Sequence, residues 1–181
     1  ILDSNAQSDL TLWYKSPAKV WEEALPVGNG RLGAMIFGDP QKERIQFNEN
    51  TLYSGEPETP KDINVASDLG HIRQLLNEGK NTEAGNIIQQ KWIGRLNEAY
   101  QPFGDLYIEF ASKGAITDYI HSLDMNNSIV TTSYKQNGIA IRREVFASYP
   151  AQAIIIHLSA SKPVLNFTAH LESPHPVTQD S

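Results

Sequence analysis

The chain has 181 residues, and 21 acidic side chains against 15 lysines and arginines give it a formal net charge of −6. A hydrophobic content of 40% with 20% charged residues is ordinary for one globular domain and argues against disorder. The chain has no lysine cluster, so nucleic acid is a poor candidate partner, because phosphate contacts require concentrated positive charge. The absence of cysteine excludes disulfides and thiolate metal sites, and no apolar run approaches the roughly 20 residues that span a bilayer.

The first part of the chain predicts a short strand followed by a β-hairpin. Residues 12–14 form the apolar opening strand. The Gly28-Asn29-Gly30 run predicts a tight turn, because glycine and asparagine take positive φ most readily. The apolar run 32–37 predicts a buried strand and Asp39-Pro40 a turn. Residues 44–48 alternate between apolar and polar, which indicates a half-buried return strand.

A small two-helix insertion is predicted next. The first helix has Ser67 as its expected N-cap and ends at Gly79. Its expected apolar face has the spacing i, i+3, i+7 and consists of Leu69, Ile72 and Leu76. The second helix begins after Asn81 or Thr82, and its expected apolar side consists of Ala84, Ile87, Ile88 and Trp92.

After Gly104 the sequence predicts short strands separated by turns. Asn137-Gly138 is the strongest short signal for a β-hairpin, and the nearly continuous apolar run 153–158 predicts a central strand buried on both faces. The predicted strands are residues 106–110, 119–123, 129–134, 139–146, 153–158 and 164–171. This pattern predicts a mainly β fold, an antiparallel β-sandwich with a small two-helix insertion.

The predicted domain organisation has three parts. Residues 1–9 are read as a tag or mature N-terminal tail, and we exclude them from the fold. Residues 10–176 form a single β-sandwich domain. Residues 177–181 follow Ser173-Pro174-His175-Pro176, which ends the strand pattern, and are read as the start of a linker.

A resemblance to a known family rests on motifs that occur in order along most of the chain. They are L-W-Y (12–14), A-L-P-V-G-N-G-R-L-G-A-M-I-F-G (24–38), R-I-Q-F-N-E-N-T-L-Y-S-G (44–55), Y-Q-P-F-G-D-L (100–106) and R-E-V-F-A-S (143–148). The chain resembles the N-terminal domain of glycoside hydrolase family 95, which consists largely of bacterial α-L-fucosidases with some α-L-galactosidases. It departs from the family at Tyr53, where tryptophan is more frequent, and at Asn50, where aspartate is usual.

The resemblance implies a non-catalytic role for these residues. In the family, the catalytic acid and its activating partners belong to a helical (α/α)6 barrel further along the chain, so no catalytic residue is carried over. The implied function is that of the N-terminal domain of an α-L-fucosidase-like hydrolase, packed against that downstream barrel. Its implied substrates are fucosylated or L-galactosylated glycans, and its implied location is periplasmic or extracellular. We expect this segment alone to be inactive and to use no cofactor.

The residues themselves select no catalytic or metal site. Glycoside hydrolysis commonly needs two carboxyl groups flanking the scissile bond, and nothing in the spacing of the 21 acids selects a pair. The glycine run 28–33 leads into a strand, so no helix N-terminus is available to hold a phosphate. The histidines lack metal-ligand spacing, and each is expected to be structural or solvated: His71, His121, His157, His170 and His175.

The candidate functional residues are polar and aromatic side chains at turns and strand ends, where functional loops usually lie on a rigid sheet. They are Asn29, Arg31, Asn48, Glu49, Thr51, Tyr53, Gln101 and Asp105. One interpretation is that they fasten loops by hydrogen bonds. The other is that they form the interface with the barrel and reach the rim of its sugar pocket, where the planar fork of arginine suits bidentate contacts.

The alternative function is a stand-alone carbohydrate-binding β-sandwich module. Such a module usually stacks exposed aromatic rings on sugar faces. Trp13, Trp21 and Trp92 fall in apolar patterns, so we expect them in the core, where burial of each ring is worth about 4 to 6 kcal/mol at most. This expectation favours the first function. We also expect the domain to expose an apolar patch where the barrel docks.

Overall fold

The computed structural model describes residues 10–55, 65–93 and 98–176. The predicted N-terminal tail and the predicted start of the linker lie outside these residues, so both remain predictions. The chain divides into two compact units. The larger unit consists of residues 1–52 and 102–181, and the smaller unit of residues 53–101.

The larger unit is an antiparallel β-sandwich, as predicted. Its described residues contain ten strands: β1 (Thr11–Tyr14), β2 (Leu25–Gly28), β3 (Leu32–Ile36), β4 (Lys42–Glu49), β5 (Gly104–Phe110), β6 (Ile116–Asp124), β7 (Ile129–Gln136), β8 (Ile139–Ser148), β9 (Ala153–Ala160) and β10 (Phe167–Glu172). One sheet has the order β1-β6-β7-β8-β9, and the other has the order β10-β5-β4-β3-β2. Every pairing within them is antiparallel. A single-turn 3-10 helix, Trp21–Glu23, precedes β2.

The main core lies between the facing surfaces of the two sheets. Successive side chains of a strand point to opposite faces of its sheet, so alternate residues of the strands can turn inward. The buried members of this core are Leu25, Val27, Ala34, Ile36, Ile45, Leu123, Val130 and Val145. Half-buried Phe47, Leu106, Ala147, Ile154 and Ile156 extend it. The period-two pattern of the sequence is therefore what joins the sheets.

Two turns fix the register of the hairpins as predicted. Between β7 and β8, Asn137 has a φ of 50° and Gly138 a φ of 77°, which are the positive values of a type I′ turn. Between β2 and β3, Gly30 has a φ of 90°. Both turns contain the glycine and asparagine residues that tolerate this conformation.

The prediction that residues 153–158 form a central strand was wrong. In the structure β9 is an edge strand, whose only strand neighbour among the described residues is β8. Its isoleucines are half-buried. A continuous apolar run predicts cover on the faces of a strand, but it does not encode the number of strands beside it.

The expectation of core tryptophans was wrong for two of the three. Trp13 is 59% exposed because β1 has four residues, pairs among the described strands with β6 alone, and places Trp13 opposite Ser122 rather than opposite a core residue. Trp21 is 54% exposed in the 3-10 helix, which contains no buried residue. Trp92 is half-buried in the smaller unit, where it packs against the helical core.

The smaller unit contains the two predicted helices, α1 (Ala66–Asn77) and α2 (Asn81–Lys91). Ile72, Leu75 and Ala84 form its buried core, and Ile87, Ile88 and Trp92 pack against them. Leu69 and Leu76 are exposed, contrary to prediction, because Ile72 and Leu75 form the face of α1 that meets α2. Ser67 is not the N-cap, since Val65 precedes the first helical residue.

Gly79 ends α1 as predicted, with a φ of 74°. Within the described ranges, neither helix has the length and apolar character that crossing a bilayer requires.

Candidate functional site

Five of the eight candidate residues meet at one end of the β2–β3–β4 meander. Antiparallel pairing brings the β2–β3 turn beside the end of β4, because Leu32 pairs with Glu49 and Gly33 pairs with Asn48. The backbone N–H of Asn50 also donates to the carbonyl of Arg31 at 3.0 Å. We call this group the turn patch; it consists of Asn29, Arg31, Asn48, Glu49 and Thr51.

Asn29 fastens the β2–β3 turn to the opposite sheet. Its Oδ1 accepts hydrogen bonds from the backbone N–H groups of Arg31, at 3.1 Å, and Leu32, at 2.8 Å. Its Nδ2 donates to the carbonyl of Ser148, at the end of β8, at 2.9 Å. This asparagine therefore satisfies three backbone groups, in agreement with the loop-fastening interpretation.

Glu49 is held in its ionised form. Its Oε2 accepts hydrogen bonds from the hydroxyl of Thr51, at 2.6 Å, and from the backbone N–H of the same residue, at 2.8 Å. Nε of Arg31 lies 3.8 Å from Oε1. The hydroxyl and N–H of Thr51, and then the charge of Arg31, hold the pKa of Glu49 below its usual value. An ionised carboxylate is an acceptor and does not supply the proton that a general acid gives to a leaving group.

Asp105 lies on β5, in the same sheet as the turn patch, but its side chain binds Arg44 and does not join the turn patch. The guanidinium of Arg44 donates from Nε to Oδ1 and from Nη2 to Oδ2, both at 3.0 Å. This bidentate pair links β4 to β5, whose register places Gln46 opposite Asp105. The fork geometry that sequence analysis associated with Arg31 is therefore found at Arg44.

Tyr53 and Gln101 belong to the smaller unit. Tyr53 pairs with Tyr100 in an isolated β-bridge, with the two ring centroids 5.1 Å apart. Gln101 donates from Nε2 to the carbonyl of Ala99 at 3.2 Å. The Tyr53–Tyr100 pair holds together the two ends of the helical insertion, and the Gln101 hydrogen bond is local to the second end.

Sequence reasoning missed a group of polar residues enclosed between the sheets, which we call the buried polar cluster. Its fully or almost fully buried members are Glu43, His121, Thr132, Gln136 and Arg143. Glu43 Oε1 accepts hydrogen bonds from the backbone N–H groups of Phe37, at 3.1 Å, and Gly38, at 2.9 Å. Arg143 pairs with Oε2 of Glu43 and donates to the carbonyl of Asp39 at 3.1 Å.

The Glu43–Arg143 pair therefore holds the β3–β4 turn against β8. Burial raises the pKa of Glu43, while the charge of Arg143 and the two backbone N–H groups oppose this effect. A carboxylate and a guanidinium without solvent exposure stabilise the fold most when their remaining hydrogen-bonding groups also find partners. Here Nε and Nη1 of Arg143 are buried and have no hydrogen-bond partner among the described residues, so the pair is only partly satisfied. The pair fixes structure and presents no group to a substrate.

His121 ties β6 to both sheets from within the buried polar cluster. Its Nε2 lies 3.1 Å from the carbonyl of Ile36 and its Nδ1 lies 3.0 Å from the hydroxyl of Thr132. A carbonyl only accepts, so Nε2 carries the proton and Nδ1 accepts from the hydroxyl. Burial lowers the pKa of His121 to about 4. The expectation of a structural role for this histidine agrees with its position.

The strand alternation contains the signal that would have found the cluster. Alternate residues of a strand share a face. Glu43 therefore shares the inward face of β4 with Ile45, and His121 shares that of β6 with Leu123. On β8, Arg143 lies between the inward-facing Ile141 and Val145. Charged or titratable side chains at inward-facing positions of a strand are expected to be paired. The sequence does not show that these three positions on different strands meet.

An open depression of about 400 Å³ lies among the strands β6 to β9. Among its described lining residues Asp118 is the one acid, and it pairs with Lys135 at 2.9 Å. A single paired carboxylate does not provide the two carboxyl groups that glycoside hydrolysis commonly uses. In the parts of the chain that the structure describes, no three histidine or acidic side chains come close enough to hold a metal ion.

Comparison with protein families defines the class of this domain. The family model described as the N-terminal domain of glycosyl hydrolase family 65 matches residues 12–181. The chain therefore belongs to this family of glycoside hydrolase N-terminal domains.

The chain is also similar to particular fucosidases. It is 35% identical over 168 residues to alpha-L-fucosidase 2 of Arabidopsis thaliana, a match that covers 91% of this chain and 20% of that protein. It is 28% identical over 174 residues to the probable alpha-fucosidase A of Aspergillus niger, covering 90% of this chain and 21% of that protein. The probable alpha-fucosidase A of Aspergillus oryzae is 28% identical over 169 residues, covering 90% and 23%.

These matches confirm the resemblance to the N-terminal domain of α-L-fucosidase-like hydrolases. The chain spans about a fifth of the length of these relatives. The relatives come from a plant and two fungi, and they give no support to the bacterial source that the resemblance implied.

Proposed function

We propose that this chain is the non-catalytic N-terminal domain of an α-L-fucosidase-like glycoside hydrolase of family 95. In this proposal it packs against a downstream (α/α)6 barrel that carries the catalytic residues and acts on fucosylated or L-galactosylated glycans. The observation that carries the proposal is the match to alpha-L-fucosidase 2, which includes 91% of this chain but 20% of the relative.

The geometry of the turn patch supports a role in domain contact rather than in bond cleavage. Glu49 is held ionised by Thr51, and the side chain of Arg31 is 54% exposed while its Nε faces Glu49. An exposed guanidinium offers donors to carbonyl or carboxylate oxygens on a partner surface. We assign Arg31 and Glu49 to the interface with the barrel.

The test is to replace Arg31 and Glu49 with alanine, separately, in the full-length enzyme. Each substitution should lower the melting temperature or kcat/KM on an aryl α-L-fucoside, because either loss removes an interdomain contact. Lys42→Ala is the matched control, since Lys42 forms an exposed ion pair with Glu109 at 2.8 Å on the same sheet, and such pairs contribute about 0 to 1 kcal/mol. Melting temperature and activity equal to those of the control would contradict an interface role for the turn patch.

The exposed tryptophans favour the alternative of a carbohydrate-binding module more than the sequence did. Trp13 and Trp21 are both more than half exposed, and exposed rings stack on sugar faces in such modules. Titration of tryptophan fluorescence with fucosylated oligosaccharides separates the two functions. A saturable shift that Trp13→Ala or Trp21→Ala abolishes supports the binding module, and no shift supports the scaffold.

We also propose a periplasmic or extracellular location, which rests on the family resemblance alone. Fractionation of the source cells with an antibody against this domain tests it, and recovery of the protein in the cytoplasm would contradict it.

A further inference from the structure

The outer face of the first sheet carries one row of side chains that crosses its five described strands. The strand register places five residues side by side, in the order Trp13, Ser122, Thr131, Glu144 and His157. A sequence neighbour of each of the last four belongs to the core, so this row points away from the core, and Trp13 shares the face of its partner. Neighbouring strands lie about 4.8 Å apart, so the row is about 19 Å long. We call it the outer row.

An aromatic ring stands at one end of the outer row. Trp13 is 59% exposed, although Nζ of Lys15 lies 5.8 Å from the centroid of its ring. Such a ring offers a flat apolar surface and an indole N–H donor. In the adjacent row of the same face, Phe146 pairs with Ile155, and both are half-buried. This face therefore combines apolar surface with the polar side chains of the outer row.

The other end of the outer row presents charged groups that are held in place. Oε1 of Glu144 accepts a hydrogen bond from Nη2 of Arg142 at 2.7 Å, and Oε2 lies 3.2 Å from Nδ1 of His157. The side chains of Arg142 and His157 are nevertheless 53% and 63% exposed. Glu144 thus orients an exposed guanidinium and an exposed imidazole, which is the preorganisation that a binding site requires.

The open depression among β6 to β9 lies beside this charged end. Arg142 lines it together with Ser133 and Ser159, which are its partners on the two neighbouring strands. A hydroxyl both donates and accepts hydrogen bonds, so it can pair with either role of another hydroxyl. The face therefore offers an aromatic ring at one end and hydroxyl, carboxylate and guanidinium groups at the other.

We propose that this face binds a neutral fucosylated oligosaccharide, with one sugar ring packed on Trp13. Hydroxyls further along the oligosaccharide then bind to Arg142, Glu144 and His157. A length of about 19 Å fits an oligosaccharide better than a single sugar. A neutral ligand is favoured because the charge of Arg142 is already offset by Glu144.

A carbohydrate is favoured over a protein partner because charged side chains are depleted at the centre of protein interfaces. Here the chain of Arg142, Glu144 and His157 lies on the face itself. The choice of a fucosylated ligand rests on the proposed function, whereas the chemistry of the face does not. The proposal adds a binding site on this domain and gives none of its residues a part in bond cleavage.

Isothermal titration calorimetry of the full-length protein tests the site, with excess deoxyfuconojirimycin present to occupy the catalytic pocket. The probes are two neutral fucosylated oligosaccharides, lacto-N-fucopentaose I and a fucosylated xyloglucan nonasaccharide. We expect saturable binding of at least one probe. Trp13→Ala should weaken that binding about tenfold or more, because truncation of an aromatic anchor removes a dominant contact. Glu144→Gln should also weaken it, because the charge that orients Arg142 and His157 is lost.

Each variant has a matched control. Trp21 is 54% exposed but lies in the 3-10 helix and not in the outer row, so Trp21→Ala should bind the probe as the original protein does. Glu109 forms an ion pair with Lys42 on the other sheet, so Glu109→Gln should likewise leave probe binding unchanged. Melting temperatures establish that all four variants are folded.

Three results would overturn the proposal. One is the absence of binding with both probes, and another is an equal loss of affinity in Trp13→Ala and Trp21→Ala. The third is a lower melting temperature of Trp13→Ala without loss of probe binding, which would assign the face to a protein contact. Failure of the proposed function has a separate readout, since it would appear as a full-length protein that releases no fucose from an aryl α-L-fucoside.

Discussion

At the scale of single residues, Gly38 shows how tightly the β3–β4 turn is held in the sandwich. Its φ of 82° is a conformation that side chains with a Cβ rarely adopt, and its carbonyl accepts a hydrogen bond from Tyr119 at 2.8 Å. A Cβ at this position would lie 2.7 Å from Oη of Tyr119 and 2.8 Å from Cγ of His121. Both neighbours are packed side chains, so neither yields easily.

Comparison of two alanine substitutions separates backbone strain from crowding. Gly30 also has a positive φ, of 90°, but an added Cβ there meets nothing within 4 Å. Gly30→Ala should cost about 1 to 2 kcal/mol of unfolding free energy from the backbone alone. Gly38→Ala should cost about 1 to 3 kcal/mol more, because overpacking is added. Urea unfolding of the two variants measures the difference, and equal costs would show that the turn is not packed as described.

At the scale of elements, the sequence identified most strands but not their neighbours. The Asn137-Gly138 hairpin and the alternating strand β5 are encoded within a few residues, so local patterns predict them well. The edge position of β9 depends on which strands are present beside it, which no local pattern contains. The exposure of Trp13 has the same origin, since it follows from the position of β1 at a sheet edge.

The candidate site was predictable to a similar extent. The turn patch was found because turn residues and strand ends can be recognised from sequence, and five of the eight candidate residues do meet there. Its interface role stays a prediction. The Glu43–Arg143 pair was missed because the two residues are a hundred positions apart and lie on different sheets.

His121 joins the two sheets and makes their association depend on pH. Its pKa is about 4 in the folded protein and about 6.5 for a free imidazole, so between these values the unfolded chain binds more protons. The contribution of the neutral His121 side chain to the free energy of unfolding is fully present above pH 6.5 and is lost as the pH falls toward 4. It amounts to roughly 3 kcal/mol, at 1.36 kcal/mol for each pKa unit.

The pH dependence is measured by urea unfolding of the original chain and of His121→Gln at pH 7.5, 6.0 and 4.5. At pH 7.5 the variant should be less stable, because it loses buried hydrogen bonds to Ile36 and Thr132. The difference should shrink as the pH falls, since glutamine does not titrate. A difference that stays constant between pH 7.5 and pH 4.5 would contradict the role assigned to His121.

At the scale of the whole molecule, the described polar groups of the β-sandwich are mostly used for its own structure. Asn29 fastens a turn, Glu43 and Arg143 hold another, and Arg44 and Asp105 link two strands. Glu49 is held ionised, and the depression among β6 to β9 has one paired acid in its described lining. These features fit a domain that supports an active site located elsewhere in the protein.

The most direct measurement compares the full-length protein with the purified chain of residues 1–181 in the hydrolysis of an aryl α-L-fucoside. Circular dichroism and a cooperative thermal transition first establish that the shorter chain is folded. The full-length protein is expected to release fucose, and the folded shorter chain is expected not to. Release of fucose by the shorter chain at an enzymatic rate would contradict it.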